Sequence, residues 1–201
     1  MKALIIGTGT IGNAVAQTFR DAGHEVVQVG RRTGDVQADL TDIASLRTMF
    51  AQVGTVDTVA SAAGEVFPAP LLDSTDDQWS DSLASKGIGQ INLVRAGIDH
   101  VNDGGSFILV SGILGDEATN AMTIGASVNS LVEGFVRAAT TELPRGLRIN
   151  CVSPAVLAES TAFHAYFPGF VPVPAHDVAL AYLRAASNPY NGQIIRLHRT
   201  N

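Results

Sequence analysis

Residues 2–17, KALIIGTGTIGNAVAQ, combine a short apolar run, three closely spaced glycines and the beginning of a helical pattern. The apolar run, residues 3–6, is too short to span a membrane and predicts a buried parallel strand. Apolar residues then recur at helical intervals over residues 13–20. Between the two lie glycines with the spacing G-x-G-x-x-G, at Gly7, Gly9 and Gly12. The stretch therefore predicts a strand, a tight turn and a helix.

A turn of this kind is suited to binding a diphosphate. The first N–H groups of a helix have no acceptors within it, and the helix dipole favours negative charge at that end. The spacing alone is a weak signal, because a chain with 20 glycines produces it by chance. Its position between an N-terminal strand and a second predicted strand favours dinucleotide binding over a purely structural turn. The predicted contacts are Gly7, Thr8, Gly9, Thr10, Ile11 and Gly12.

The composition predicts a single domain over residues 1–201, since 46% hydrophobic and 16% charged residues supply one core. No apolar run reaches the roughly 20 residues of a membrane span, and no signal-peptide pattern is present, so we expect a cytoplasmic protein. A net charge of −6 argues against a nucleic-acid surface. With one cysteine, Cys151, and five histidines that lack ligand spacing, no metal site is expected.

Strand and helix patterns alternate along the chain, which is typical of a parallel sheet with helices on both faces. We therefore predict a doubly wound, Rossmann-type α/β fold of about seven strands, with ligands at the carboxyl ends of the strands. After residues 3–6, the predicted strands are 24–29, 35–40, 56–60, 106–110, 147–152 and 193–197. The predicted helices are 13–20, 43–53 with Asp42 as N-cap, 76–101, 124–143 and 175–186. Residues 102–105 are predicted as a turn.

These features resemble the short-chain dehydrogenase/reductase family over essentially the whole chain. Residues 7–12 are similar to its phosphate turn, 39–42 (DLTD) to its adenine-contacting segment, and 61–64 (SAAG) to its N-N-A-G motif. The most specific match is RINCVSP, residues 148–154, which resembles the family's R-V-N-x-V-x-P. The resemblance implies a seven-stranded sheet that binds NAD or NADP. It adds predicted cofactor contacts at Asp39, Leu40, Ala62, Ala63, Gly64, Ser111, Pro154 and Val156.

The family's catalytic tetrad, Asn-Ser-Tyr-Lys, falls on other residue types in this chain. Alignment through residues 133–142, 106–115 and 90–97 places the four positions on Lys86, Gly112, Gly125 and Asn129, respectively. In the family, the tyrosine gives a proton to the alkoxide that forms as hydride is transferred. Gly125 and Asn129 do not replace that proton donor. Lys86 and Ser111 are candidates for the task, although structural or cofactor-contacting roles are favoured for both.

Two arginines end the second predicted strand, where NAD-preferring sites usually carry an acid that binds the ribose hydroxyls. Arg31 and Arg32 stand there instead, and no acidic residue is present at that strand end. A guanidinium is suited to the 2′-phosphate of NADP. The alternative is that both arginines are solvated loop residues. We expect NADP(H) to be preferred over NAD(H).

Two hypotheses for the function follow. The first is an NADP(H)-binding oxidoreductase with a divergent site, whose small-molecule hydride acceptor, such as a flavin or quinone, needs no proton donor from the protein. The second is a catalytically silent NADP-binding protein with a regulatory or interaction role. Helices around residues 79–94 and 124–139 correspond to the family's oligomer-forming pair, so we expect a homodimer or homotetramer. An aromatic group in the loop after the sixth strand packs on the core or contacts substrate: Phe163, His164, Tyr166, Phe167 and Phe170.

Overall fold

A parallel sheet of seven strands runs through the part of the chain that the computed structural model describes, residues 1–198. The strand order is β3-β2-β1-β4-β5-β6-β7. The strands are β1 (Lys2–Ile6), β2 (Glu25–Gly30), β3 (Val36–Gln37), β4 (Val56–Ser61), β5 (Val101–Val110), β6 (Arg148–Pro154) and β7 (Ile194–Leu197). This confirms the predicted doubly wound α/β fold.

Helices cover both faces of the sheet. The α-helices are α1 (Thr10–Asp21), α2 (Ile43–Val53), α3 (Asp76–Ser82), α4 (Gly89–Gly97), α5 (Thr123–Ala139) and α6 (Ala175–Ser187). Side chains of α1 and α6 share one buried cluster with the sheet, whereas α2, α4 and α5 share the other. The sheet is therefore the middle layer of three.

The alternation of side chains along β1 explains why its sequence is apolar throughout. Leu4 and Ile6 face the cluster that contains Phe50 of α2. Ala3 and Ile5 face the opposite cluster, with Phe19 of α1. Burying a leucine, isoleucine or phenylalanine side chain is worth about 1.5–3 kcal/mol, and a strand buried on both faces gains this at every position.

The strand order reverses beside β1, because β2 and β3 lie on one side of it and β4 lies on the other. Two backbone hydrogen bonds tie the chain together just past the strand ends. Gly7 N–H donates to the Val29 carbonyl, and Ala62 N–H donates to the Ile6 carbonyl, both at 2.7 Å. Ligands of such sheets bind in the crevice at this switch point.

The predicted helical region over residues 76–101 is helical from Asp76 to His100, but it is not one regular α-helix. A π-helical segment, Leu83–Ile88, separates α3 from α4, and a 3₁₀ turn, Ile98–His100, follows α4. Two glycines in this region weaken the helical preference, and Gly89 packs where a Cβ would lie 2.8 Å from Leu40 Cγ. Sequence periodicity could not locate the π-helical segment because it is only six residues long.

The predicted turn over residues 102–105 lies inside β5. Val56 of β4 pairs with Val101 and Thr58 pairs with Ser106, so the intervening residues of β5 form a bulge. Gly104 takes the positive φ, 73°, that this bulge requires. Other boundaries also move. β3 spans two residues rather than 35–40, β6 extends to Pro154, and α5 ends at Ala139, after which Thr140 and Thr141 hydroxyls bind carbonyls of the last turn.

The first residue of the RINCVSP stretch anchors the connection between α6 and β7. The Arg148 guanidinium donates to the carbonyls of Asn188 at 2.6 Å, Tyr190 at 2.9 Å and Ala186 at 3.1 Å. Asn150, two residues further along β6, donates to the same Tyr190 carbonyl at 2.8 Å. The arginine therefore satisfies carbonyls at the end of a helix, where they lack N–H partners.

Replacing Arg148 should destabilise the fold. Hydrogen bonds to a charged group contribute about 1.5–3 kcal/mol each, so we expect Arg148→Met to lower the free energy of unfolding by about 2–4 kcal/mol. Arg184→Met, on the exposed side of α6, is the matched control and should change it by less than about 0.5 kcal/mol. Urea denaturation measures both, and equal effects would contradict the anchoring role.

Candidate functional site

Two adjoining cavities lie at the carboxyl ends of the central strands. The first, here the turn cavity, has a volume of about 320 Å³ and is lined by residues that follow β1, β2, β3 and β4. The second, the lysine cavity, has a volume of about 220 Å³ and is lined by residues that follow β4, β5 and β6, together with Lys86. The two share one wall, made of Ala62, Ala63 and Gly64.

The glycine turn forms one end of the turn cavity. α1 begins at Thr10, and no side chain caps it, so the N–H groups of its first turn have no acceptors within the helix. A Cβ on Gly9 would meet no protein atom within 4 Å. A Cβ on Gly12, by contrast, would lie 2.2 Å from the Gly7 carbonyl oxygen. Gly9 thus leaves room for a ligand, whereas Gly12 is required by the fold of the turn itself.

The other end of the turn cavity carries opposite charges. Arg31 lines it, and Arg32 does not. Asp39 lines it too, and hydrogen bonds from Thr41, followed by the charge of Arg31, lower the pKa of its carboxyl group. The expectation that no acid competes for Arg31 is therefore wrong. Asp39 is distant from Arg31 in sequence, but β3 pairs with β2 and brings residues 37–39 alongside the end of β2.

The lysine cavity gathers the four residues aligned with the tetrad positions. Lys86, Gly112, Gly125 and Asn129 all line it, although they come from the π-helical segment, the end of β5 and helix α5. Among its described lining residues, Lys86 is the one with a charged side chain. The alignment made from sequence thus brings together residues that share one cavity.

Lys86 reaches the cavity from the π-helical segment, a geometry that is frequent at functional sites. Its Nζ donates to the Ser111 carbonyl at 3.0 Å. Burial of the ammonium group lowers the pKa of Lys86 to about 8, against a smaller opposing influence of Cys151. Its stem packs under Gly64, where a Cβ would lie 2.7 Å from Lys86 Cβ. The ammonium group of Lys86 is therefore held where burial weakens its affinity for the proton.

Gln90 was missed by the sequence analysis, and it fixes the π-helical segment to β5. Its side-chain nitrogen donates to the carbonyls of Lys86 at 2.8 Å and Val110 at 2.9 Å. Its side-chain oxygen accepts from Val110 N–H at 2.9 Å. Gln90 is fully buried. A glutamine between apolar helix positions was the signal, since a buried amide must find partners.

The hydroxyl of Ser111 is committed to a buried acid. It donates to Glu133 Oε1 at 2.9 Å, and Glu133 also accepts from Arg137 at 3.0 Å. Arg196 of β7 lies 3.8 Å from the same carboxylate and binds Asp116 through two bonds, at 2.5 and 2.7 Å. Ser111 therefore contributes its carbonyl to the lysine cavity, where this oxygen accepts a hydrogen bond from Lys86 Nζ.

The other two tetrad positions differ from one another. A Cβ on Gly125 would lie 2.9 Å from Leu114 Cδ1 and 3.1 Å from Val66 Cγ1, so apolar side chains occupy the room beside it. Asn129 donates to the Gly112 carbonyl at 3.2 Å, and this bond orients the amide. Its Oδ1 is buried and has no hydrogen-bond partner among the described residues. Such an atom is satisfied by a ligand that donates a hydrogen bond.

Of the predicted cofactor contacts, Thr10, Gly12 and Arg32 line neither cavity. The remainder line one or both of them: Gly7, Thr8, Gly9, Ile11, Arg31, Asp39, Leu40, Ala62, Ala63, Gly64, Ser111, Pro154 and Val156. From the aromatic group, Phe163 and Phe167 line the lysine cavity, while Tyr166 and Phe170 pack beside Phe167. His164 binds the Leu157 carbonyl at 2.8 Å.

Residues 1–198 contain neither a membrane-spanning helix nor a metal-binding cluster. None of the helices is long and apolar enough to cross a membrane. No cluster of three or more histidine, cysteine, aspartate or glutamate side chains is placed to hold a metal ion.

The sequence matches a known family model and several named proteins. A family model described as enoyl-(acyl carrier protein) reductase matches residues 7–189. The chain belongs to the short-chain dehydrogenase/reductase family. Hydroxynaphthalene reductase arp2 of Aspergillus fumigatus is 26% identical over 145 residues, which are 70% of this chain and 53% of that protein. Elsinochrome reductase 1 of Elsinoe fawcettii is 26% identical over 195 residues, covering 85% and 73% of the two chains. The chain thus spans between half and three quarters of the length of these curated relatives.

Solved structures share the whole fold. The protein lin1944 from Listeria innocua superposes with a TM-score of 0.94 at 41% identity, over 98% of both chains. A small-chain dehydrogenase solved in complex with NADPH superposes with a TM-score of 0.87 at 24% identity, over 98% of this chain and 96% of that one. The second likeness extends to the fold alone.

The two glycines of the turn should respond differently to substitution. We expect Gly9→Val to weaken binding of a nicotinamide dinucleotide by more than about tenfold, with an unchanged melting temperature, because its side chain occupies ligand space. Gly12→Ala should lower the free energy of unfolding by about 3 kcal/mol or more, because its Cβ meets backbone. Calorimetric titration and thermal melting measure the two effects. Unimpaired binding by Gly9→Val would show that the turn is not the phosphate site.

Proposed function

We propose that this chain is an NADP(H)-dependent oxidoreductase that passes a hydride to a small-molecule acceptor needing no proton donor from the protein. The observation that carries the proposal is the junction of the two cavities at Ala62, Ala63 and Gly64. Only these small residues stand between the cavity at the glycine turn and the cavity that contains Lys86. A dinucleotide with its reactive ring at the second cavity suits a cleft at the switch point of the sheet.

The residues along this cleft fit such a cofactor. The uncapped start of α1 supplies N–H groups and a positive dipole end for the diphosphate. Arg31 offers a guanidinium to a 2′-phosphate, and Asp39 offers a carboxylate to a hydrogen-bond donor such as the adenine amino group. Asn129 Oδ1 is a free acceptor for a ribose hydroxyl or a carboxamide N–H. When bound, NADPH supplies the hydride.

The choice of acceptor follows from the absence of a hydroxyl proton donor at the positions aligned with the tetrad. Gly125 has no side chain, and the Ser111 hydroxyl is held by Glu133. Reduction of a simple ketone produces an alkoxide that must gain a proton during the reaction. An acceptor that stabilises the added charge within its own conjugated system has no such need.

A catalytically silent NADP-binding protein is the second candidate. The observation that favours it is the apolar filling beside Gly125, where Leu114 and Val66 occupy the place of a side chain. Such a protein would bind NADPH, and the rate of NADPH oxidation in its presence would equal the rate in buffer without protein.

The proposal includes a homodimer or homotetramer formed through α4 and α5, located in the cytoplasm. The outward side of α5 carries small exposed residues at Ser127, Ser130 and Gly134, and Ile88 is 45% exposed just before α4. Small residues permit close approach of helices from another subunit.

Cofactor preference is tested at the two adjacent arginines. Loss of a charge-assisted hydrogen bond costs about 1.5–3 kcal/mol, so Arg31→Ala should weaken NADPH binding by about 10- to 150-fold and leave NADH binding nearly unchanged. Arg32→Ala, whose side chain lies outside the cavity lining, is the matched control and should bind both cofactors like the native protein. Titration calorimetry measures the constants. Equal affinity of the native protein for NADPH and NADH would refute the preference.

The acceptor class is tested by NADPH oxidation. We expect no turnover of simple aldehydes and ketones above background, because proton donation and alkoxide stabilisation commonly contribute factors of about 10² to 10⁴ each. Flavins and quinones should be reduced measurably. The rate of NADPH oxidation is measured from the loss of NADPH absorbance, first with the aldehydes and ketones and then with the flavins and quinones. Robust ketone turnover would contradict the proposed acceptor class, and oxidation of no acceptor would favour the silent protein.

A further inference from the structure

We propose that Lys86 is the oxyanion-binding residue of the lysine cavity, and that the acceptor is a quinone whose reduced form places a phenolate-type oxygen against the Lys86 ammonium group. This inference rests on the proposed function and names the substrate class of the same site. The geometry assigns the role to Lys86 because its Nζ stands at the wall of a cavity whose other described lining side chains are uncharged.

The hydrogen bonding of Lys86 leaves donors for a ligand. One N–H donates to the Ser111 carbonyl at 3.0 Å, and an ammonium group carries three donors in all. The structure records no second acceptor for Nζ among the described residues. Gln90 holds the Lys86 carbonyl, and Gly64 packs against the stem, so the backbone and the stem that carry the head group are both fixed. An anion in the cavity would complete its coordination.

The rest of the lining suits a flat ring. Most of the side chains around the cavity are apolar, among them Ile113, Leu114, Met122, Val156, Phe163 and Phe167. Aromatic and aliphatic walls bind conjugated rings by dispersion and by exclusion of water. One cation in such a cavity selects a ring that carries negative charge, or that acquires it during the reaction.

The reaction balances with NADPH as the reductant. The quinone gains a hydride, that is, two electrons and one hydrogen nucleus, while NADPH is oxidised to NADP⁺. The product is the hydroquinone monoanion, and once hydride transfer is complete it takes a proton from the paired Lys86 ammonium group, which regains its own proton from water. Lys86 acts by pairing with the oxygen on which the negative charge develops. Preorganised donors of this kind contribute about 10²- to 10³-fold in kcat.

The pH dependence follows from the environment of the ammonium group. Burial lowers the pKa of Lys86 to about 8, so the charged form predominates below that pH and is lost above it. Cys151 of β6 is the titratable group that acts on it directly, and burial raises the pKa of that thiol to about 12, which keeps it neutral in this range. Glu133 of α5 is linked to Lys86 indirectly: it accepts a hydrogen bond from the Ser111 hydroxyl, while the Ser111 carbonyl accepts one from Lys86. Oxyanion binding should therefore weaken as the pH rises through about 8.

The first test uses para-nitrophenol and no cofactor. Its phenolate absorbs differently from the phenol, so the spectrum reports ionisation of the bound molecule. We expect bound para-nitrophenol to ionise at a lower pH than the free molecule, and Lys86→Met to weaken phenolate binding at least tenfold. Methionine keeps the stem under Gly64 and removes only the charge. Lys86→Arg, which stays charged at all working pH values, should retain binding and lose the decline above pH 8.

The second test measures NADPH-dependent reduction of menadione, a naphthoquinone, across the same pH range. We expect Lys86→Met to lower kcat about 10²-fold, to bind NADPH like the native protein, and to lack the decline in kcat/KM above pH about 8. Thermal melting confirms that each variant is folded. If no variant and no native protein binds NADPH, the proposed function fails. If NADPH binds but Lys86→Met matches the native protein with phenolate and menadione, the inference about Lys86 is overturned.

Discussion

The close approach of the chain segments that leave β1 and β4 is the constraint on which the site depends. A Cβ on Gly7 would lie 2.7 Å from the Ala62 carbonyl oxygen, and Gly7 takes a φ of 127°. Any other residue there would both clash and strain the backbone. This contact allows the glycine turn and the SAAG segment to share a cleft, so the wall common to both cavities exists only because residue 7 has no side chain.

A second organising feature is the amide of Gln90, which bridges a helix and a strand. Its three hydrogen bonds join Lys86 to both backbone groups of Val110. The π-helical segment leaves backbone groups that an α-helix would satisfy, and buried groups of that kind cost about 1–3 kcal/mol when unpaired. Gln90 offsets this cost and so maintains the turn that carries Lys86 to the cavity. The uncharged Gln90 thus stabilises the π-helical segment that carries Lys86.

The fold could be predicted from the sequence because its signals are local and strong. The β1 run is apolar on both faces, the glycine spacing marks a turn, and Asp42 caps α2 through Ala44 N–H as expected. What failed depends on contacts distant in sequence. The π-helical segment before α4 requires Gln90 to meet Val110, and the bulge in β5 is held by Arg145, which donates to the Val101 carbonyl at 3.0 Å. The placement of Asp39 beside Arg31 likewise needed the pairing of β3 with β2. Lys86 was identified by alignment, but its lowered pKa is a property of burial that no motif contains.

The ion pairs of Arg196 link the last strand of the sheet to the rim of the lysine cavity. Asp116 follows β5, and Glu133, which holds Ser111 and pairs with Arg137, lies on α5. Arg196 of β7 pairs with Asp116 and lies 3.8 Å from Glu133. The residues of the turn cavity, by contrast, all lie between Ile6 and Ser85. During synthesis on the ribosome, the part of the site that faces the diphosphate is therefore complete in sequence long before the part that faces the acceptor. The lining of the lysine cavity extends to Phe167, and the Arg196 ion pairs behind it form only when β7 has emerged.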